Sequence, residues 1–146
     1  MPRSYANTVV AADPDTVWAF LRDFDATPEY VEAIEASEIV GGKPADKVGC
    51  ERLLTLTDGN PVRETLVTLC DLNRTYTYHL TEGPFPFTKY YSTIRVTPVT
   101  ADGASFVEWW AVYDCESADE KAMDDLLAGS LFGGGLAALR ARFAGA

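Results

Sequence analysis

Two glutamates, Glu35 and Glu64, stand on strand-like segments of a chain rich in apolar and aromatic residues. A carboxyl group in an apolar pocket has its pKa raised by desolvation, and a second carboxylate beside it raises it further. Brought into one cavity, such a pair supplies a general acid and a general base for cyclisation, dehydration or enolisation. Tyr78 and Tyr90 would then hydrogen-bond a developing enolate. The same pair, helped by Trp109 and the tyrosines, would alternatively hold a cationic or amine ligand. The plain structural alternatives are a solvated Glu35 at a strand edge and a Glu64 that anchors a structural network.

Other chemistries have no residues to carry them. The single histidine, His79, falls on the polar side of its strand, and with scattered cysteines it makes no zinc constellation. No G-x-S-x-G, Walker or G-x-G-x-x-G motif occurs, and Gly41-Gly42-Lys43-Pro44 reads as a turn. The expectation is a cavity without metal or cofactor. The chain has 146 residues with 12 basic against 22 acidic, a formal charge of −10. No Lys/Arg cluster relieves that charge, which argues against nucleic acid and anionic membrane surfaces as partners. No apolar run reaches the ~18 residues of a membrane span. MPRSYANTVVAADPD lacks the apolar core of a signal peptide, and Cys50, Cys70 and Cys115 are odd in number. Buried thiols in a cytoplasmic protein are expected, as a monomer or homodimer.

The elements that must position the glutamates follow from periodicity. Residues 5–12 read as a strand. DPDTVWAFLRDF reads as a helix with Asp13 at the N-cap, Pro14 at N1 and a stripe of Val17, Phe20, Leu21 and Phe24. A second short helix starts at Thr27-Pro28. Strands follow at 35–40, 50–57, 62–70, 75–81, 89–99 and 105–115, separated by short turns, as in an antiparallel meander. Ser117 with Glu120 forms a capping-box pattern ahead of a long helix reaching about Phe143. One domain over residues 1–146, of α+β class, is expected.

Strand parity names the inward residues. Val107, Trp109, Ala111, Tyr113 and Cys115 share one side, as do Tyr90, Ser92, Ile94 and Val96, and Tyr76, Tyr78 and Leu80. In strand 62–70 either parity is apolar enough to point inward. So many hydroxyls and an indole on one face suit either an internally bonded core or a wet cavity that orients a ligand. The last helix carries Gly129 and Gly133-Gly134-Gly135, at about 1 kcal/mol each relative to alanine. Leu127, Leu131 and Gly135 share one helical face, which tapers to leave room for a ligand or for close approach to the sheet. TEGPFPF, between two strands whose tyrosines point inward, is a stiff loop whose Phe85 and Phe87 would cap an apolar pocket or pack on the last helix.

VWAFLRDF, VGCERL and YHLTEGPFPFTKYYSTIRVTPV, with this order of elements, resemble the START/SRPBCC superfamily. Within it the chain looks most like the bacterial polyketide cyclase/dehydrase and lipid-transport group. The resemblance implies a helix-grip fold, a curved antiparallel sheet of about seven strands wrapped on a long C-terminal helix, with two short helices after the first strand. Plant abscisic-acid receptors offer a residue-level likeness at Val48-Gly49-Cys50, Arg63-Glu64-Thr65-Leu66 and Tyr90-Tyr91-Ser92. It implies that Glu64, Tyr78, Tyr90 and Ser92 face a pocket.

Departures from those receptors imply a different ligand. Glu35 stands where they carry a carboxylate-binding lysine, and Trp109 replaces a second pocket glutamate. Their gate shortens to Asp58-Gly59-Asn60-Pro61 and their latch becomes Phe85-Pro86-Phe87. The leading expectation is a small hydrophobic or aromatic molecule bound by Tyr78, Ser92, Trp109, Phe85, Phe87, Leu127, Leu131 and Gly135. Glu64, Glu35 and Tyr90 would cyclise or dehydrate it. The alternative is a non-catalytic carrier or sensor of a lipid-like ligand.

Overall fold

Alternating apolar side chains along seven segments build one curved antiparallel sheet in the computed structural model, which describes residues 1–144. The strands are β1 (Arg3–Val10), β2 (Ile34–Val40), β3 (Glu51–Leu56), β4 (Pro61–Cys70), β5 (Thr75–Glu82), β6 (Lys89–Pro98) and β7 (Ser105–Asp114). Their order is β1-β7-β6-β5-β4-β3-β2, a meander closed by the first strand beside the last. The inward set includes Tyr76, Tyr78, Tyr90, Ser92, Ile94, Trp109, Ala111 and Tyr113, all buried. In β4, Val62, Glu64 and Leu66 turn inward, then a register shift between Leu66 and Thr68 changes the phase, and Leu69 packs on the core. That bulge is why neither parity of this segment dominates its sequence.

Between β1 and β2 the chain makes helix α1 (Pro14–Leu21) and a 3₁₀ turn, Thr27–Glu29. Asp13 caps α1, its carboxylate accepting from Thr16 N–H at 3.2 Å. Val17, Trp18, Leu21 and Phe24 are buried; Phe20, expected in the buried stripe, is half-buried against Tyr30 and Phe143. Trp18 Nε1 and Arg22 Nε both donate to Asp71 Oδ1, at 2.8 and 2.9 Å, fastening α1 to the β4–β5 turn.

The C-terminal helix is continuous but not uniform. A 3₁₀ turn (Ser117–Asp119) leads into α2 (Glu120–Asp124), then π-helical turns (Asp125–Phe132), then α3 (Gly133–Arg142). The expected Ser117–Glu120 capping box is not formed. Helical backbone starts one residue earlier than the pattern implied, so Glu116 takes the N-cap position and makes no side-chain cap. Ser4 Oγ lies 2.8 Å from Tyr113 Oη and donates to Asp124 at 2.7 Å, tying helix, β1 and β7 together. The three thiols are free; Cys50 is buried, whereas Cys70 and Cys115 are half-buried, short of the burial expected. Burial pushes the Cys50 thiol up.

Two of the helix glycines have a steric reason. A Cβ at Gly133 would stand 2.6 Å from the Ala128 carbonyl oxygen, which the π turns bring beneath it. A Cβ at Gly135 would stand 2.9 Å from Trp109 Cζ3 and 3.3 Å from Val31 Cγ2. Gly134 is exposed and meets nothing within 4 Å. Gly135→Ala is therefore expected to destabilise the protein by about 1–3 kcal/mol through overpacking. Gly134→Ala, one residue away, is expected to be neutral or to stabilise by up to about 1 kcal/mol. Urea denaturation of both variants checks this; equal effects would remove the close-approach account of Gly135.

Candidate functional site

β3 and β4 pair so that Arg52 lies opposite Glu64. Both are in phase with inward neighbours, Leu54 on β3 and Val62 and Leu66 on β4, so both are carried into the core. Arg52 is 1% exposed and Glu64 5%. Glu64 Oε1 accepts from Arg52 Nε at 2.8 Å and Nη2 at 2.7 Å. Arg52 Nη1 donates to the Phe24 carbonyl at 2.8 Å and to Thr27 Oγ1 at 2.7 Å. Its guanidinium carbon sits 3.8 Å from the Phe24 ring centroid and 4.6 Å from that of Tyr78. A buried charge is tolerated when paired and hydrogen-bonded, and both conditions are met.

This pair forms one wall of a cavity of about 50 Å³ between the sheet and the C-terminal helix. Tyr78, Leu80, Tyr90 and Trp109 line it from the sheet. Leu54, Leu56 and Val62 line it from the β3–β4 hairpin, and Thr27, Val31 and Ile34 from the segment before it. Leu127, Leu131 and Phe132 of the π-helical turns close the helix side. Phe85 and Phe87 stand at its end, on the β5–β6 loop, with the Phe87 ring 4.9 Å from Tyr90 and 5.0 Å from Tyr113. A volume of this size takes a few waters. A bound organic molecule ordinarily needs about 300 Å³ or more.

Desolvation pushes the Glu64 carboxyl above its ordinary value, and the Arg52 charge pulls it back. Arg52 stays protonated: burial disfavours its charge, but the Glu64 carboxylate beside it offsets that. Burial, with the Glu64 charge in second place, raises the Tyr90 hydroxyl well above its ordinary value, so it is a hydrogen-bond donor at neutral pH. Tyr78 is raised in the same direction, mainly by burial. Trp109 Nε1 is shared between Ser92 Oγ at 3.0 Å and Tyr78 Oη at 3.2 Å, which fixes the indole plane.

Three residues expected at the site lie elsewhere. Glu35 is exposed; a bulge between Ile34 and Ala36 lets Ile34, not Glu35, enter the cavity lining. The two-carboxylate cavity is therefore absent, and the charged partner of Glu64 is Arg52. Ser92 sits behind Trp109, spending its hydroxyl on the indole N–H and the Trp110 carbonyl. Gly135 packs under Trp109 rather than lining the space. The cavity does bring together Glu64, Tyr78, Tyr90, Trp109, Phe85, Phe87, Leu127 and Leu131. Arg52, Thr27 and Phe132 were not anticipated. The one available signal for Arg52 was a charged residue in phase with Leu54 and Leu56.

The family described as polyketide cyclase/dehydrase and lipid transport matches residues 1–144. The chain belongs to that family. Similar solved structures come from several bacteria. The protein XoxI of Bacillus cereus is 29% identical, with a TM-score of 0.88 over 98% of this chain and 96% of its own. An uncharacterised protein of Bacillus thuringiensis is 28% identical, with a TM-score of 0.86 over 97% and 98%. A protein of Thermobifida fusca is 26% identical, with a TM-score of 0.88 over 98% and 93%. No curated protein matches the chain. No helix among the described residues is long and apolar enough to cross a membrane.

Arg52→Met leaves the Glu64 carboxylate buried without its partner. The expected loss is about 3–5 kcal/mol, read by urea denaturation. A loss below about 1 kcal/mol, the range of an exposed ion pair, would show that the pair is solvated.

Proposed function

We propose that the protein binds a small, uncharged, largely apolar or aromatic molecule carrying a hydrogen-bonding oxygen or nitrogen, between the sheet and the C-terminal helix. The observation that carries this is the Arg52–Glu64 pair at the wall of a space otherwise lined by aliphatic and aromatic side chains. Both of its Arg52 bonds go to Oε1 of Glu64. The carboxylate thus offers an acceptor to a ligand hydroxyl or amine, while Tyr90 offers a donor. A ligand carboxylate is disfavoured, because it would meet Glu64 in a low-dielectric site. Phe85 and Phe87 act as the lid, on a loop whose shape Pro84 and Pro86 restrict. Family membership and fold support ligand binding as the general role.

A catalytic reading rests on one observation, the burial of Glu64 in the cavity wall, which raises its carboxyl above the ordinary value. Glu64 would take a proton from carbon next to a carbonyl, and the Tyr90 hydroxyl would hold the enolate oxygen. With Glu35 on the surface, no second carboxylate stands ready as the acid. The geometry therefore favours binding or carriage over the two-carboxylate cyclase scheme.

Native mass spectrometry of protein purified from its own host is expected to show a recurrent bound mass. Consistently empty protein, with no hit in a metabolite screen, would overturn the binding reading. Once a ligand is known, Tyr90→Phe should weaken it about 5- to 10-fold, the worth of one hydrogen bond, with the fold retained. An unchanged affinity would remove Tyr90 from the site.

A further inference from the structure

Phe132 lines the cavity from the helix side. Phe132 is 1% exposed and lies on Trp109, ring centroids 4.4 Å apart and planes at 26°. Trp109 cannot turn away, since Ser92 and Tyr78 hold its N–H and Gly135 lets the helix backbone press against its edge. The ring face it presents is therefore a fixed surface, and Phe132 is the group that happens to cover it.

Phe132 reaches that face from the end of a π-helical segment, residues 125–132. Leu127 and Phe132, five apart, are the buried pair of this segment. In an α-helix Leu131 would follow Leu127 on the inner face, and Phe132 would point about 100° farther round the axis. Long π-helical runs are rare and concentrate at functional sites. This one depends on Gly133, whose position above the Ala128 carbonyl leaves no room for a Cβ, while Gly129 and Gly134 meet nothing within 4 Å.

We propose that Phe132 is an internal plug that stands in for a flat, uncharged ring of the ligand, and that it leaves the face of Trp109 when the ligand binds. The inference rests on the ligand-binding reading above and specifies its occupant. The ring stacks on Trp109 in place of Phe132, and its hydroxyl turns toward Tyr90 and Glu64, which line the same space. The plug keeps the apolar wall dry when no ligand is present. It also lowers apparent affinity, because only the unplugged fraction is competent to bind.

Phenol and cyclohexanol test this, being alike in size and hydroxyl but different in planarity. Each is titrated into the wild type, Phe132→Ala and Phe132→Leu, following the Trp109 indole N–H resonance. The wild type is expected to bind phenol clearly better than cyclohexanol. Removing the plug should tighten phenol binding about tenfold, the factor for a competent state about one-tenth populated. Phe132→Leu keeps most of the apolar volume and carries the comparison if the alanine variant does not fold. Phenol affinity unchanged or weakened in the variants overturns the plug. Equal affinities for the two alcohols overturn the flat-ring occupant and leave ligand binding standing. Binding of neither compound to any of the three proteins removes the ligand-binding reading, and the plug with it.

Discussion

The Arg52 guanidinium is the constraint around which the rest is arranged. β3 carries it inward in phase with Leu54, opposite Glu64 of β4. Once inside, it must be met on every side, since an unpaired buried charge costs several kcal/mol. Glu64 meets it from β4, the Phe24 carbonyl from the turn after α1, and Thr27 from the 3₁₀ turn, with the Phe24 and Tyr78 rings on its faces. One charge thereby joins the sheet to the connection between α1 and β2. A leucine at the same place would be easier to bury but would specify none of these partners.

The aromatic side of the cavity follows from that arrangement. Tyr78 lies under Arg52 and accepts from Trp109; Trp109 is held again by Ser92, and the helix closes on it through Gly135. A chain of contacts thus runs from the ion pair to the C-terminal helix without passing through solvent. Position along this chain sorts the residues. Arg52, Ser92 and Gly135 hold others in place, whereas in the proposed function Glu64, Tyr90 and, once Phe132 leaves it, the face of Trp109 meet the ligand.

Much of this was legible in the sequence. Alternation in 75–81, 89–99 and 105–115 named the inward tyrosines and Trp109 because those strands are regular. It was undecided in 62–70, where a register shift changes the phase, and Glu35, placed at the pocket by the likeness to the abscisic-acid receptors, stands outside it beside a bulge in β2. Nothing in composition marks a bulge in advance. Arg52 escaped notice because a charged residue on a strand ordinarily reads as solvent-facing, and the register that sets Glu64 opposite it on the next strand is not visible in composition. Spacing of Leu127, Leu131 and Gly135 assumed α-helical periodicity. The π-helical turns bring Phe132 inward as well and turn Gly135 onto Trp109.

The central claim is that Arg52 and Glu64 act as one buried unit rather than as two charges near a surface. A double-mutant cycle with Arg52→Met, Glu64→Leu and the double variant measures this directly by urea denaturation. A coupling of about 2 kcal/mol or more, with the double variant more stable than either single one, is the predicted result. Additive losses, with coupling below about 0.5 kcal/mol, would contradict it.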